Sequence, residues 1–285
     1  FETHDTLYSD FLYKNKLSNS VIMTEKKEEI DRAIKEKLAP KQFVKTPING
    51  TKFAILVSSA KGGVGKSTVA INLAFALQNL GLKIGILDAD VYGPSLPKLI
   101  NLNEKPKSED GKAMIPLEKY GAQCMSMGFL VDEQTPMIWR GPMVISALKT
   151  MTQKVLWKDR DVIIIDMPPG TGDAQLTFAQ EVKIDGAIIV STPQDLALLD
   201  VKRGIQMFDK TGVKILGLID NMSFFKGDDG KEYKIFGESG VEKTAKEFNK
   251  EFLGHLPLHQ DLRSSADKGD PLTHSEPEHE VSKLF

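Results

Sequence analysis

Short apolar runs rich in β-branched residues punctuate the chain at Phe53–Val57, Ile84–Leu87, Val162–Ile165, Ala187–Val190 and Ile215–Ile219. Continuous runs of this length, without polar alternation, suit strands buried on both faces. Between them, apolar positions recur at helical spacing over Ser67–Leu80, which Gly81 stops, and over Met143–Val155, Asp173–Glu181, Leu196–Lys210 and Val241–Asn249. This alternation predicts an α/β fold: a doubly wound, mostly parallel sheet with helices on both faces. Ligands of such sheets collect at the carboxyl ends of the strands, so the chemistry is sought in the loops that follow the apolar runs.

The first fifty residues break the pattern. Phe1–Asn19 mixes aromatic and polar residues without a period, and Thr24–Leu38 is a charged helical pattern that stops before Pro40. Residues 1–50 are read as an N-terminal extension, partly helical or disordered, and 51–285 as one domain. A start at Phe1 rather than Met fits a fragment or a processed product, while Glu2, Asp5 and Asp10 argue against a transit peptide.

Composition narrows the classes. With 285 residues, 41% hydrophobic and 27% charged, the chain can bury a full core. A net charge of −2 gives no global reason to expect nucleic acid or an anionic membrane as partner. No apolar stretch approaches the roughly 20 residues that span a bilayer. The single cysteine, Cys124, excludes an intrachain disulfide and suits a reducing compartment, the cytoplasm or an organellar matrix; its strand-like surroundings make it a core thiol. The histidines show no zinc spacing: His255 and His259 flank a proline-containing loop, and His274 and His279 lie in an acidic stretch read as a solvated tail.

The first apolar run leads into Ala60-Lys61-Gly62-Gly63-Val64-Gly65-Lys66-Ser67-Thr68, directly before a helical pattern. Small residues there let backbone N–H groups turn toward a β- and γ-phosphate; Lys66 supplies a point charge, and the Ser67 hydroxyl can ligate Mg²⁺ at the helix start. Ala60 stands where the first glycine of a phosphate loop is usually written and is small enough to serve. The second run ends in Asp88-Ala89-Asp90: Asp90 is placed to orient an attacking water and Asp88 to sit in the Mg²⁺ second shell. The third ends in Asp166, which reaches Mg²⁺ through water, and Gly170, four residues on, can bring a backbone N–H to the γ-phosphate. The segment Asp220-Asn221-Met222-Ser223 lacks the Asn-Lys-x-Asp guanine reader, so adenine is favoured. Asn221 is the base-reading candidate, with the loop Pro257–Arg263, including Asp261 and Arg263, covering the other face of the ring.

The signature Lys-Gly-Gly-x-Gly-Lys-Ser-Thr resembles the deviant Walker A motif of the MinD/ParA/nitrogenase-iron-protein class. That resemblance implies a homodimer in which Lys61 reaches the partner's phosphates much as an arginine finger does. Together with Asp88–Ser95, Trp139–Met143, Asp166–Asp173 and Asn221–Ser223, the signature is similar to the Mrp/ApbC family of iron–sulfur cluster carrier ATPases. The family resemblance implies ATP and Mg²⁺ as ligands, Lys61, Lys66, Asp90 and Asp166 as the hydrolytic set, and iron–sulfur client or scaffold proteins as partners. It also implies a [4Fe–4S] cluster held between subunits by a Cys-x-x-Cys pair a few residues after Asn-Met-Ser. Gly227 and Gly230 stand at those places, glycine offers iron no ligand, and Asp228–Asp229 read as a hairpin tip.

Two other readings stand beside the cluster-maturation ATPase. One is a MinD/ParA-type positioning ATPase acting on membrane or DNA, against which the ending Glu276–Phe285 is too short and too acidic to lie in a lipid interface. The other is a nucleotide-gated scaffold with negligible turnover.

Overall fold

The computed structural model describes residues 44–109, 111–130, 141–227 and 229–285. The helical pattern at Thr24–Leu38, Trp139-Arg140 and Asp228 lie outside them. Phe1–Val44 and Lys45–Phe285 are separate units. Lys45–Gly50, on the extension side of the expected boundary, is stitched into the second unit. Thr46 N–H donates to Glu181 O (2.7 Å), Lys183 N–H donates to Thr46 O (2.9 Å), and Ile48 is buried.

Eight strands form the sheet: β1 (Thr51–Ser58), β2 (Ile84–Asp88), β3 (Leu117–Lys119), β4 (Ala122–Ser126), β5 (Arg160–Asp166), β6 (Gly186–Ser191), β7 (Ile215–Asp220) and β8 (Phe252–His255). Their spatial order is β8-β7-β6-β1-β5-β2-β4-β3, parallel throughout except for β3. The helices are α1 (Lys66–Asn79), α2 (Gly141–Gln153), α3 (Asp173–Glu181), α4 (Asp195–Thr211), α5 (Gly240–Glu247) and α6 (Gln260–Lys268). The connection β1-α1-β2 runs one way along the sheet, whereas those through α2, α3, α4 and α5 run the other way. Right-handed crossovers in opposite directions place their helices on opposite faces, as the alternation of apolar runs and helical patterns predicts.

All five apolar runs are strands of this sheet. β2 and β6 are buried along their whole length, but Phe53 near the start of β1 is 54% exposed, where β1 is paired with β5 on one side and β6 joins on the other only from Ile55. β3 and β4 are joined by Tyr120 and Gly121, both at positive φ (52° and 81°), the backbone of a two-residue hairpin turn.

The C-terminal stretch read as a solvated tail is packed instead. His274 stacks on Tyr120 with ring centroids 4.1 Å apart, Val281 is buried, and Thr273 donates through its hydroxyl to Asn72 O of α1 (2.9 Å). Residues 260–263, expected in a loop, open α6, where His259 Nδ1 accepts the Asp261 N–H and Gly269 closes the helix in the left-handed conformation.

Candidate functional site

Parallel pairing sets the site. Val57 of β1 is in register with Asp166 of β5, and Asp166 with Asp88 of β2, so the phosphate-type loop and both carboxylate-bearing turns leave the same sheet edge side by side. β4 adds Ser126 in register with Asp88.

The loop between β1 and α1 turns through Gly63 and Gly65, at φ 80° and 82°. Gly65 is required twice over: its φ is left-handed, and a Cβ there would sit 2.3 Å from Asn221 Nδ2. Asn221 is buried and donates that amide to Val64 O (2.7 Å), while its buried Oδ1 has no hydrogen-bond partner among the described residues. Ala60, Lys61, Ser67 and Thr68 are partly exposed around the loop, and Gly62 and Gly63 are open to solvent. Ser59 Oγ donates to Lys61 O (2.9 Å), and among the described residues the Lys61 ammonium has no ion-pair partner.

Lys66 is buried and forms an ion pair with Asp166; its Nζ also lies 3.2 Å from Ser67 Oγ and 3.9 Å from Asp90 Oδ2. Lys66, Ser67, Asp90 and Asp166 therefore converge within one small volume. Asp90 Oδ1 accepts the N–H groups of Tyr92 and Gly93 (both 3.2 Å), which leaves Oδ2 facing Lys66. Burial raises the Asp90 carboxyl above its ordinary range, against the pull of Lys66.

Asp88 is fully committed. Its Oδ1 accepts from Asp90 N–H (3.1 Å), and its Oδ2 from Ser95 N–H (2.9 Å), Leu96 N–H (3.0 Å) and Ser126 Oγ (2.9 Å). Burial, reinforced by the Asp166 charge, pushes its pKa from 3.8 up to about 7. A carboxyl with a raised native pKa keeps a proton that the unfolded chain gives up. Its stabilising contribution is therefore full below pH 3.8 and lost as pH rises through about 7. In metal-free buffer we expect the denaturation midpoint to decrease as pH rises from about 4 to about 7, with that decrease flattened in Asp88→Asn. An unchanged pH slope in the variant would contradict this assignment.

The turn after β5 is held by a residue that the sequence did not single out. Gln175, buried on α3, donates its amide to Pro169 O (2.8 Å). Gly170 takes φ 102°, and its N–H, expected to reach a γ-phosphate, here donates to Ser59 O (2.8 Å). Ser126 was missed as well. Neither Gln175 nor Ser126 carries a motif; only strand register and helix phase bring them to Asp88 and the Pro168-Pro169 turn.

The segment after β8 is stitched to the Asn221 loop. Ser223 N–H donates to Leu256 O (3.0 Å) and Leu258 N–H to Phe224 O (2.8 Å), which holds buried Pro257 next to that loop. Asp261 and Arg263 lie instead on the exposed first turn of α6, Arg263 paired with Asp267 (3.2 Å) and Asp261 beside His279 (3.4 Å).

The stretch from Phe225 to Tyr233 forms a small antiparallel hairpin, Phe225–Lys226 against Glu232–Tyr233. Its tip satisfies itself: Gly227 N–H donates to Lys231 O (2.9 Å), and Tyr233 Oη and Lys231 N–H donate to Asp229 at 2.8 and 3.0 Å. A Cβ at position 227 would lie 2.8 Å from the Tyr233 ring. Cys124 is fully buried in β4, and burial pushes its thiol up to about 12.

A glycine-rich turn between a central parallel strand and a helix, a buried lysine at that helix start and a carboxylate on the adjacent strand end define a P-loop nucleoside triphosphatase fold. The comparisons make the class specific. Residues 50–285 match the family described as ParA: NUBPL iron-transfer P-loop NTPase, and the chain belongs to that family. It is 52% identical over 240 residues to the "Iron-sulfur protein required for NADH dehydrogenase, mitochondrial" of Arabidopsis thaliana, covering 84% of this chain and 77% of the relative. It is 51% identical over 247 residues to the "Iron-sulfur cluster transfer protein NUBPL" of Dictyostelium discoideum, covering 86% and 76%. Among solved structures, a nucleotide-binding protein of Archaeoglobus fulgidus in complex with ADP superposes with a TM-score of 0.71 at 35% identity, over 84% of this chain and 93% of that one. The cell division ATPase MinD of Pyrococcus furiosus gives 0.60 at 22% identity, over 82% and 94%, a likeness of fold alone. Among the described residues no helix is long and apolar enough to cross a membrane.

Proposed function

We propose that the chain is an ATP-binding and ATP-hydrolysing dimeric switch that assists iron–sulfur cluster assembly or delivery to client apoproteins. The observation that carries this is the convergence of Lys66, Ser67, Asp90 and Asp166 at the ends of adjacent parallel strands. The names of the relatives in the same family supply the cluster context.

Lys66 neutralises Asp166. Incoming β- and γ-phosphates compete for Lys66, and the carboxylate so released, with Ser67 Oγ, offers the oxygen donors that suit Mg²⁺. Mg²⁺ bound there supplies positive charge to the phosphate oxygens. Asp88 would sit in the second shell of that ion, and it holds the Asp90 turn through Asp90, Ser95 and Leu96 N–H. Asp90 Oδ2, the free oxygen, orients the attacking water. Gly170 exchanges Ser59 O for the γ-phosphate, which makes the turn after β5 the element that reports nucleotide state. The unpartnered Asn221 Oδ1 can accept the exocyclic amine of adenine, with Pro257 against the ring.

The cluster is cargo, and the hairpin does not fit it. The tip has no thiol, the Tyr233 ring fills the space beside Gly227, and the chain's one cysteine is buried in the sheet. The switch therefore serves cluster traffic without its own thiolates holding the cluster, in the cytoplasm or an organellar matrix. Anaerobic incubation with iron and sulfide, followed by desalting, is expected to return protein without the visible absorbance or acid-labile sulfide of a cluster. A brown product with about four irons per dimer, the content of one [4Fe–4S] cluster, would overturn this part of the proposal.

A further inference from the structure

Away from the nucleotide site, the start of α6 and the C-terminal turn bring together side chains that share no sequence motif. The ligating atoms of His259, Asp261 and His279 all lie within 4.8 Å of one another. His279 Nε2 is 3.4 Å and His259 Nδ1 3.7 Å from Asp261 Oδ2, and His259 Nε2 is 4.0 Å from Glu280 Oε1. The two imidazoles meet edge to face with centroids 5.3 Å apart, each largely buried, while both carboxylates face solvent. We propose that His259, Asp261 and His279 form a binding site for a borderline divalent metal ion such as Zn²⁺, Co²⁺ or Ni²⁺, with water completing its coordination.

Two imidazoles and a carboxylate are a donor set these ions prefer, and one that Mg²⁺ and Ca²⁺ do not select. Metal–ligand bonds of about 2.0–2.2 Å need donors closer together than they stand here, so the site has to contract. The exposed Asp261 side chain is free to supply that movement. Each Nδ1 now accepts a backbone N–H, from Asp261 to His259 (3.2 Å) and from Val281 to His279 (3.1 Å). Coordination of His279 through Nε2 moves its ring proton to Nδ1, and coordination of His259 through Nδ1 leaves its proton on Nε2 beside Glu280, so each ring gives up its long backbone hydrogen bond for a metal–nitrogen bond. Glu280 keeps its pairing with Lys226 of the hairpin (3.0 Å), and the metal pins the C-terminal turn to α6.

Untagged full-length chain would be titrated with Co²⁺ in excess Mg²⁺, following the visible bands of low-symmetry Co²⁺, and with Zn²⁺ in competition. We expect one Co²⁺ per chain, displaced by Zn²⁺, and a Zn²⁺-dependent rise in Tm. His279→Ala and His259→Ala are each expected to weaken binding by more than about tenfold, the range lost when even an outer partner of a metal ligand is removed. His274→Ala, outside the cluster, leaves binding unchanged. Should the histidine variants fail to fold, the exposed Asp261→Asn tests the same site, with binding again weakened. Absence of Co²⁺ bands in the wild type, or equal affinity in wild type and the cluster variants, would overturn the proposal.

Discussion

Lys61→Ala is expected to abolish ATP-dependent dimerisation and to lower ATP turnover by about 10³–10⁵-fold, the range of a charge donated in trans to a phosphoryl-transfer site. The loop explains why the loss falls on the dimer rather than on folding. Lys61 is held through its backbone, with Ser59 Oγ on its carbonyl, while its ammonium has no ion-pair partner among the described residues. Lys66, in contrast, is committed to Asp166 and Asp90 within its own chain. One lysine is therefore spent locally and the other is available to a second subunit. Sizing with ATP, ADP and no nucleotide, paired with phosphate release, reads both effects. Nucleotide binding by the monomer should survive in Lys61→Ala, and a variant that still dimerises with ATP at wild-type turnover would refute the role.

Asp90→Asn is expected to slow hydrolysis by about 10²–10⁴-fold, the usual contribution of a positioned acid–base group, with little change in ATP affinity. Backbone donors from Tyr92 and Gly93 fix one Asp90 oxygen, so the amide can keep the turn while losing the charge on the oxygen that faces Lys66. With hydrolysis blocked, ATP should hold the variant as a dimer for longer than the wild type. Equal single-turnover rates for the two proteins would remove Asp90 from the chemistry and favour a scaffold that binds nucleotide without turning it over.

What the sequence made legible follows from how local each signal is. A strand buried on both faces writes itself as an unbroken apolar run, and a phosphate-type loop needs glycines at particular φ values, so β1, β2, β5, β6, β7 and the loop ending at Lys66 could be read directly. β8 and β3 are short and only partly buried, and β8 carries an irregular register at Gly254, which leaves little pattern to read. α6 is polar apart from Leu262 and Ala266, and its ends are set by His259 and Gly269 rather than by an apolar stripe. Contacts made by register escaped altogether, as Ser126 on Asp88 and Gln175 on Pro169 show. His259 and His279 stand 20 positions apart and meet only because the C-terminal segment folds back over α1 and α6.

Calorimetric titration of the wild type and Lys66→Ala with ATP and Mg²⁺ decides whether Lys66 and its carboxylate neighbours form a triphosphate site. Saturable binding at one nucleotide per chain, lost in Lys66→Ala while the variant remains folded, is the expected result. Wild-type protein that binds no adenine nucleotide, or a Lys66→Ala variant that binds it equally well, would contradict the account.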